Sequence, residues 1–281
     1  MGNPYQTVAF QTLGCKLNYA ETSTIERSFV KSGYSIVDFD GPADVYIINS
    51  CSVTENADKK ARKIIRKALS NSPFSKIIIT GCYSQLNPEE ISNIPGVSLV
   101  VGTEEKFNLP NYLDLMNLGD NFKIITSDIK YANSFEPSFS MGKRTRTYLK
   151  VQDGCDYNCS FCTIPMARGK SRSSSIEEVV YQAEKIISLG SLEIVLTGIN
   201  IGDFGVSSNE NLLKLISKLD EIKGKQRYRV SSIEPNLLSD EVIRFIAKSD
   251  KFLPHFHIPL QSGSDIILKS MQRRYNKDLF Y

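Results

Sequence analysis

The chain has 281 residues, about twice the length of a typical domain, so we expect two domains. Hydrophobic residues make up 41% and charged residues 23%, which is ordinary for a globular chain and excludes a disordered tail, a collagen and a small disulfide scaffold. The net charge of +3 identifies no partner. No apolar run reaches the roughly 18 residues of a membrane helix, and residues 1–10 lack the pattern of a secretory signal. We therefore expect a cytoplasmic protein with no membrane partner, whose six cysteines are reduced and act as metal ligands or catalytic groups.

Strands and helices alternate along the first part of the chain. The predicted strand and helix pairs cover residues 8–13 with 21–31, 44–49 with 55–69, 76–80 with 88–94, and 99–101 with 104–118. Such alternation predicts parallel βαβ units in an open, flavodoxin- or Rossmann-like sheet. We place this first domain at residues 1–127.

The apolar period is lost between residues 128 and 145, where Asn, Ser, Pro and Gly accumulate. We predict a linker there, with the domain boundary near residue 140. Alternation then resumes, with strands at 148–152, 193–196, 228–233 and 256–260, and helices at 176–189, 211–222, 240–247 and from Ser264. Consecutive βα units predict a (β/α) barrel at residues 146–281. A closed barrel needs more strands, so we expect an incomplete barrel in a C-terminally truncated chain.

Three cysteines lie close together just after the first strand of the second domain. Cys155, Cys159 and Cys162 stand in the segment Cys-Asp-Tyr-Asn-Cys-Ser-Phe-Cys. One short loop with this spacing can bring three thiolates around an iron–sulfur cube, which normally takes four cysteines. Three ligands leave one iron open to a small molecule, as an open zinc position binds substrate. The alternatives are a zinc site, which usually needs a fourth protein ligand, or three incidental core thiols.

The other three cysteines each follow a predicted strand of the first domain. Cys15, Cys51 and Cys82 come just past the strands at 8–13, 44–49 and 76–80. Ligands of open α/β sheets bind at the carboxyl edge of the strands, so three thiolates at that edge predict a second metal site. For any one of them the alternative is a buried free cysteine.

The loop of Cys155, Cys159 and Cys162 resembles the radical S-adenosylmethionine (SAM) superfamily. The resemblance implies that these cysteines hold a 4Fe-4S cluster whose open iron chelates SAM. Electron transfer from the reduced cluster would then cleave SAM and release a 5′-deoxyadenosyl radical.

Two three-cysteine groups in this order, with Leu-Gly-Cys-Lys-Leu-Asn, Ile-Asn-Ser-Cys-Ser-Val and Thr-Gly-Cys-Tyr, resemble the methylthiotransferases from Val8 to Tyr275. The resemblance implies that Cys15, Cys51 and Cys82 bind an auxiliary 4Fe-4S cluster, whose open iron carries the sulfur that is methylated and inserted. Family members usually continue into a small RNA-binding β domain, which we expect to be absent here.

Residues after the second and third strands of the barrel are candidate SAM contacts. Gly198 would let a ligand approach the backbone closely, although a tight βα turn explains it equally well. Ser232 and Glu234 would bind a ribose diol or a cationic amine, and the alternative is a cap of the next helix. The family pattern implies the SAM role for all three.

Further candidates lie at the fourth strand and in the basic loop. Gln261 and Ser262 follow the strand end, where barrel active sites form, and suit adenine or substrate. His257 is equally well explained as a core residue. Arg168 is a candidate for the SAM carboxylate or a substrate phosphate.

Two basic segments border the cysteines. A solvated charged face is the usual explanation of such runs, but RNA docking also needs them, because phosphate neutralisation supplies most non-specific affinity. The basic residues are Lys59, Lys60, Arg62, Lys63, Arg66 and Lys67 in one segment, and Lys143, Arg144, Arg146, Lys150, Arg168, Lys170 and Arg172 in the other.

The segment after Cys15, Lys-Leu-Asn-Tyr-Ala-Glu-Thr, resembles the branch that acts on threonylcarbamoyladenosine beside the tRNA anticodon. The resemblance implies tRNA, a reducing electron donor and a sulfur source as partners, with no side chain as general base. The alternatives are a methylthiotransferase for isopentenyladenosine or for a ribosomal protein, and, in another class, a non-catalytic iron–sulfur or zinc module.

Overall fold

The computed structural model describes residues 7–51, 55–142 and 145–280, and only the backbone of residues 55–58. The chain divides into two compact units. The first unit comprises residues 1–132 together with 166–168, and the second comprises 133–165 and 169–281. The predicted domain and linker boundaries at 127 and 145 stay a prediction. Lys143 and Arg144 of the second basic segment lie outside the described residues.

The first unit is built on a parallel sheet of six described strands, in the order β2-β1-β3-β4-β5-β6. The strands are Thr7–Thr12 (β1), Ser35–Val37 (β2), Val45–Ser50 (β3), Lys76–Gly81 (β4), Val97–Val101 (β5) and Ile124–Ile125 (β6). This order begins like that of the flavodoxin fold, with a switch point between β1 and β3, where ligands bind in open α/β sheets. The predicted fold class is therefore confirmed for this unit.

Helices follow the strands of the first unit at Lys16–Lys31 (α1), Glu55–Asn71 (α2), Cys82–Leu86 (α3), Pro88–Ser92 (α4) and Leu109–Asn117 (α5). Helix α1 begins five residues before its predicted start, directly after Cys15. The helix predicted at 104–118 is a 3₁₀ turn, Glu105–Asn108, followed by α5. Pro110 fits near the start of α5, because a first-turn residue needs no N–H partner within the helix.

The core of the first unit lies on both faces of β3, whose six residues are all buried. Successive side chains of a strand point to opposite faces. Ile48 belongs to one apolar cluster with Ile65 of α2, and Ile47 to another with Ile25 of α1. Burial of each such side chain stabilises the fold by roughly 1.5–3 kcal/mol. The two clusters therefore hold the cysteine-bearing ends of the central strands in place.

The second unit contains a sheet of four described strands in the order β12-β11-β8-β7. Its strands are Ser138–Phe139 (β7), Thr147–Lys150 (β8), Glu193–Thr197 (β11) and Arg227–Val230 (β12), and a separate antiparallel pair is formed by Gln152–Asp153 (β9) and Arg172–Ser173 (β10). Strands β8, β11 and β12 are parallel, and β7 is antiparallel to β8. Strand β7 lies inside the stretch predicted as a linker.

Helices lie at Ile164–Arg168 (α6), Ile176–Ser188 (α7), Leu212–Glu221 (α8), Asp240–Lys248 (α9), Asp265–Ser270 (α10) and Lys277–Phe280 (α11). Side chains of Ser175, Asn211 and Ser239 cap α7, α8 and α9 by accepting backbone N–H groups, which explains where these helices begin. The three helices pack with β8, β11 and β12 into one apolar cluster. None of the helices in the described ranges is long and apolar enough to cross a bilayer.

The prediction of a strand at residues 256–260 is wrong. Only isolated parallel bridges occur here, between Tyr228 and Phe252 and between Ser232 and His257. Pro259 within the segment has no N–H to donate to a neighbouring strand, so a continuous ladder cannot form.

Candidate functional site

Cys15, Cys51 and Cys82 lie at one edge of the first unit's sheet. Cys15 precedes α1, Cys51 directly follows β3, and Cys82 is the first residue of α3 after β4. Strands β1, β3 and β4 are neighbours and run in parallel, so their carboxyl ends lie side by side. The structure thus has each cysteine where the sequence predicts it, just past a strand, and the metal role of these residues stays a prediction.

Gly14 allows Cys51 to approach the loop that carries Cys15. A Cβ at position 14 would lie 2.6 Å from Cβ and 2.8 Å from Sγ of Cys51, closer than any side chain tolerates. Gly14 also has a φ of +97°, in the region that favours glycine. The absence of a side chain at Gly14 therefore makes room for the thiol of Cys51 beside the loop that carries Cys15. Such a close approach of the two cysteines is what a site built from sulfur ligands requires.

Asn18 links two of the cysteine-bearing loops and was not found by sequence reasoning. Its buried Nδ2 donates to the carbonyl of Leu13 over 2.8 Å and to that of Ser50 over 3.0 Å. Its Oδ1 lies 3.8 Å from Sγ of Cys15. One side chain therefore ties the end of β3 to the start of α1. A polar residue three positions after a cysteine at a helix start is the signal that the sequence offered.

A buried ion cluster accompanies these cysteines within the first unit. Glu21 accepts a bidentate pair from Arg168, with both N–O distances 3.1 Å, and an ion pair from Lys106 at 2.6 Å. All three side chains are at most 1% exposed. Arg168 also donates to Oδ1 of Asn18 over 2.6 Å. These contacts of Arg168 give no support to its predicted SAM role, which stays a prediction.

The buried ion cluster also affects the pKa of Cys82. Burial raises the pKa of Cys82, while the nearby Arg168 and then Lys106 lower it in part. Desolvation disfavours the thiolate and the two cations favour it. A bound metal needs the thiolate, so the cations work in the direction of binding.

The loop of Cys155, Cys159 and Cys162 forms one compact turn in the second unit. The N–H of Cys162 donates to the carbonyl of Cys159 over 3.0 Å, and the N–H of Tyr157 donates to Sγ of Cys155 over 3.4 Å. Burial raises the pKa of Cys155 to about 11 and also raises that of Cys162. These thiols are protonated without a metal and would release their protons on binding one.

Arg273 holds this loop and was missed by sequence reasoning. Its Nη1 donates to Sγ of Cys159 over 3.1 Å, and its Nη2 pairs with the carboxylate of Glu234. The loop is fastened further by Ser160, whose N–H donates to the carbonyl of Met271 over 3.2 Å. Glu234, predicted to contact SAM, therefore lies one side chain away from the cysteine loop.

Gln152 joins the strand ends of the second unit through its buried amide. Its Oε1 accepts the N–H groups of Ile199 and Asn200, each at 2.9 Å, and its Nε2 donates to the carbonyl of Gly154 over 2.7 Å. A Cβ at Gly198 would lie 2.8 Å from the same Oε1, so this glycine makes room for the amide. Its observed contact is structural, and its predicted SAM role stays a prediction.

The hydrogen-bond chain from Gln152 continues through Asn200 to Glu234. Oδ1 of Asn200 accepts the N–H of Glu234 over 3.2 Å. Ser232 and Nδ1 of His257 share a hydrogen bond of 2.8 Å. Gln261 is exposed and has a φ of +61°, unusual for a residue with a side chain. Gln261 is thus the candidate with least structural support in this unit.

Several residues of the second basic segment form ion pairs or hydrogen bonds with other residues of the protein. Lys150 pairs with the buried carboxylate of Asp153 at 2.9 Å, Arg172 donates to the carbonyl of Ser134 over 2.7 Å, and Arg168 belongs to the buried ion cluster. Of the residues of this segment that the structure describes, Lys150, Arg168 and Arg172 are therefore engaged in contacts within the protein, whereas Arg146 and Lys170 are exposed. By contrast, Lys59, Lys60, Lys63, Arg66 and Lys67 of α2 are exposed.

The donor set of each cysteine group, three thiols, is the one that an iron–sulfur cube with one open iron requires. In the part of the chain that the structure describes, no three His, Cys, Asp or Glu side chains are arranged to bind one metal ion. A cube needs a wider arrangement, because each cysteine binds a different iron. Three thiols from neighbouring strand ends, or from one eight-residue loop, would supply that donor set with one iron left open, and this role of the six cysteines stays a prediction.

Two family models match the chain. The Radical SAM superfamily matches residues 149–280, and the family described as Uncharacterized protein family UPF0004 matches residues 7–102. The solved radical S-adenosylmethionine methyltransferase TsrM from Kitasatospora setae has a similar fold, with a TM-score of 0.67 and 12% identity, over 98% of this chain and 64% of that chain. Fold and site therefore define a radical SAM protein, a class that implies SAM and a 4Fe-4S cluster.

Curated relatives show to which family within the radical SAM class the chain belongs. The threonylcarbamoyladenosine tRNA methylthiotransferase MtaB of Bacillus subtilis is 45% identical over 98% of this chain, and that of Aquifex aeolicus is 37% identical over 96%. The chain spans 62% and 67% of these two relatives. A tRNA-2-methylthio-N(6)-dimethylallyladenosine synthase of Clostridium botulinum is 31% identical over 96% of this chain and 62% of its own length. The chain belongs to the radical SAM methylthiotransferase family, as its cysteine motifs predict.

Proposed function

We propose that this chain carries the catalytic core of an enzyme that inserts a methylthio group at carbon 2 of threonylcarbamoyladenosine, next to the anticodon of tRNA. The observation that carries the proposal is the pair of three-cysteine groups in a chain 45% identical to a relative named for this activity. The dimethylallyladenosine synthase is more distant, at 31% identity. The proposed location is the cytoplasm, where tRNA is found and thiols stay reduced.

Cys155, Cys159 and Cys162 would hold the cluster that binds SAM, and Cys15, Cys51 and Cys82 an auxiliary 4Fe-4S cluster. When bound, the clusters and SAM supply an electron, a radical able to remove hydrogen from a C–H bond, and the sulfur and methyl to be transferred. A reducing electron donor and a sulfur source are the further partners that this chemistry requires.

The protein's own residues would orient these groups. Arg273 holds the sulfur of Cys159 and the carboxylate of Glu234. Gln152 accepts the backbone N–H of Asn200, whose side-chain Oδ1 in turn accepts the N–H of Glu234. Glu234 is 15% exposed, so it can still reach a ribose diol or an amine. Side chains connected in this way keep their positions during the reaction, which is the contribution a protein makes to cofactor chemistry.

Helix α2 offers a surface for the RNA partner. Lys59, Lys60, Lys63 and Arg66 lie on its exposed side, and the helix begins four residues after Cys51. Like charges three or four residues apart destabilise a helix by about 0.2–0.5 kcal/mol per pair. A phosphate backbone offsets that repulsion and gains affinity through counterion release.

Nucleoside analysis of tRNA tests the substrate. A strain that lacks the gene should lose only the methylthio derivative of threonylcarbamoyladenosine, as measured by mass spectrometry of digested tRNA. Plasmid-borne wild-type gene should restore it, and a Cys155→Ala variant should not. Loss of the methylthio derivative of isopentenyladenosine, or an unchanged tRNA, would reject the proposed substrate; the latter result directs attention to a ribosomal protein.

Anaerobic reconstitution tests the class. About eight irons per chain with cleavage of SAM supports an enzyme with two clusters. Bound zinc without SAM cleavage would support a non-catalytic module instead. The Cys15→Ala/Cys51→Ala/Cys82→Ala variant should retain about four irons, and the corresponding variant of the other three cysteines should also retain about four.

A further inference from the structure

Tyr157 lies inside residues 155–162, the cysteine loop of the second unit, and it is buried although its two neighbours in the chain are not. Only 3% of Tyr157 is exposed, whereas Asp156 and Asn158 are exposed residues. The backbone N–H of Tyr157 donates to Sγ of Cys155 over 3.4 Å. The position of Tyr157 therefore determines whether one of the proposed ligand sulfurs receives a hydrogen bond.

Asn236 fixes the hydroxyl end of the Tyr157 side chain. Its Nδ2 donates to the phenol oxygen over 2.8 Å, across 79 positions of the chain. Asn236 is the middle residue of a 3₁₀ turn, Pro235–Leu237, that directly follows Glu234. A buried hydroxyl needs such a partner, because leaving it without one costs more than the bond itself contributes. This hydrogen bond therefore holds the ring in one orientation.

Arg274 holds the same residue through its ring and through its peptide group. The guanidinium carbon of Arg274 lies 4.0 Å from the centroid of the Tyr157 ring, to whose face a cation is attracted. Its Nη2 donates to the carbonyl of Asp156 over 2.8 Å. That carbonyl and the N–H of Tyr157 belong to one planar peptide group. Arg274 therefore fixes the orientation of the N–H that donates to Cys155.

The contact with sulfur has a consequence for redox chemistry. A hydrogen bond to a ligating sulfur is one of the means by which a protein sets the reduction potential of an iron–sulfur cube. The donor stabilises the negative charge that the sulfur gains when the cube is reduced. Hydrogen bonds in a chain strengthen one another, so the bond from Arg274 to the carbonyl also makes the N–H of the same peptide a better donor. Loss of either outer contact should therefore weaken the bond to sulfur.

We propose that Arg274 and Asn236 are positioning residues that raise the reduction potential of the cluster bound by the cysteine loop. They act by holding the N–H of Tyr157 on the sulfur of Cys155. The inference rests on the proposed function, which supplies that cluster. The step affected is a one-electron reduction: a low-potential donor loses one electron, the cluster gains it, and no bond or proton is transferred.

Two variants that change no charge, Asn236→Leu and Tyr157→Phe, test the contact between these side chains. The measurement is an anaerobic redox titration followed by EPR, in the full chain with Cys15, Cys51 and Cys82 replaced by alanine so that only the cluster of the cysteine loop contributes. We expect the ratio of reduced to oxidised cluster at a given potential to fall about threefold in each variant, which is about 28 mV for one electron. The double variant should show the same shift as each single one, because both changes remove the same hydrogen bond.

Arg274→Lys tests the second contact. Lysine keeps the positive charge but lacks the planar guanidinium that lies on the ring and binds the carbonyl at once. Its midpoint should also lie below that of the parent, and a lost charge cannot be the cause. Tyr181→Phe, at a tyrosine of α7 that is 58% exposed, is the matched control and should keep the parent midpoint.

Parent midpoints in both Asn236→Leu and Arg274→Lys, at equal iron and sulfide content, would overturn the inference alone. A parent midpoint in only one of them would overturn the role of that residue, and shifts that add in the double variant would contradict an action through the Tyr157 hydroxyl. A parent protein that binds no iron after anaerobic reconstitution would overturn the cluster of the proposed function and the inference with it. If Asn236→Leu does not fold, Tyr157→Phe, which removes a single oxygen atom, decides.

Discussion

Arg273 donates a hydrogen bond to the sulfur of Cys159 over 3.1 Å, although 114 residues separate the two in the chain. The same guanidinium pairs with Glu234, so one planar group joins a cysteine of the loop to a carboxylate at the end of another strand. Hydrogen bonds to a ligating sulfur affect both the affinity for the cluster and its redox properties. Arg273 is therefore a positioning residue for the proposed cluster.

Replacing Arg273 with methionine should weaken binding of the cluster that we propose Cys155, Cys159 and Cys162 to hold. Outer-shell partners of metal ligands are typically worth 10–100-fold in affinity, so we expect iron to be lost to a chelator at least about tenfold faster. The measurement is the rate of iron release from anaerobically reconstituted protein. Arg244→Met, which removes an exposed ion pair on α9, is the matched control and should release iron like the wild type. Equal rates in both variants would contradict the role of Arg273.

Replacing Gln152 with leucine should destabilise the second unit. The change leaves the N–H groups of Ile199 and Asn200 without their acceptor in a buried place, at a cost of about 1–3 kcal/mol each. Denaturant titration of the protein without clusters should show a total loss of about 3 kcal/mol. Gln182→Leu on α7 removes a bond to Glu178 only and should change the free energy of unfolding by less than about 0.5 kcal/mol. A similar small change for Gln152→Leu would refute the argument.

Removing four cations from α2 should lower the affinity for RNA. It should also make that affinity depend less on salt concentration. A variant with Lys59, Lys60, Lys63 and Arg66 changed to glutamine should lower the slope of log affinity against log salt by up to about 3, because each phosphate contact contributes roughly 0.7–0.9. Fluorescence anisotropy with an anticodon stem-loop RNA gives both quantities. The control carries glutamine at the exposed Lys218, Lys223, Lys225 and Lys248, which changes the net charge equally. Equal slopes in the two variants would exclude α2 as the docking surface.

Asp203 should make the stability of the second unit depend on pH. Burial raises its pKa above the ordinary 3.8, so the folded state holds the proton more tightly than the unfolded state. The contribution of Asp203 to the free energy of unfolding is therefore fully present below pH 3.8 and is lost as the pH rises through the pKa of the folded state. Asp203→Asn should therefore become more stable than wild type as the pH rises from 4 towards 7, by denaturant titration. Asp250→Asn at an exposed site should give no such trend.

The sequence revealed the cysteine positions because strand followed by cysteine is a local pattern. The order of the strands is not local, and it was the structure that made β1, β3 and β4 neighbours. The family followed from the cysteine motifs and the fold class from the alternation of strands and helices, and both are confirmed.

Partners distant in sequence were not predictable. The sequence predicts that Arg168 contacts SAM or a substrate phosphate, whereas its observed contacts with Asn18 and Glu21 depend on how the backbone folds. Arg273 and Gln152 were missed for the same reason, since their hydrogen-bond partners Cys159 and Asn200 lie tens of residues away. The fourth strand failed for a different cause: its apolar pattern suits a strand, while Pro259 removes a donor that the ladder needs.

The two cysteine groups differ in the stage of folding at which their three cysteines come close together. Cys155, Cys159 and Cys162 fall within eight consecutive residues, so a nascent peptide can already present them together. Cys15, Cys51 and Cys82 follow three different strands. They come to the same edge of the sheet only after β1, β3 and β4 have paired. During biosynthesis, assembly of the proposed auxiliary cluster would therefore wait for folding of its unit, whereas the other proposed cluster could be assembled earlier.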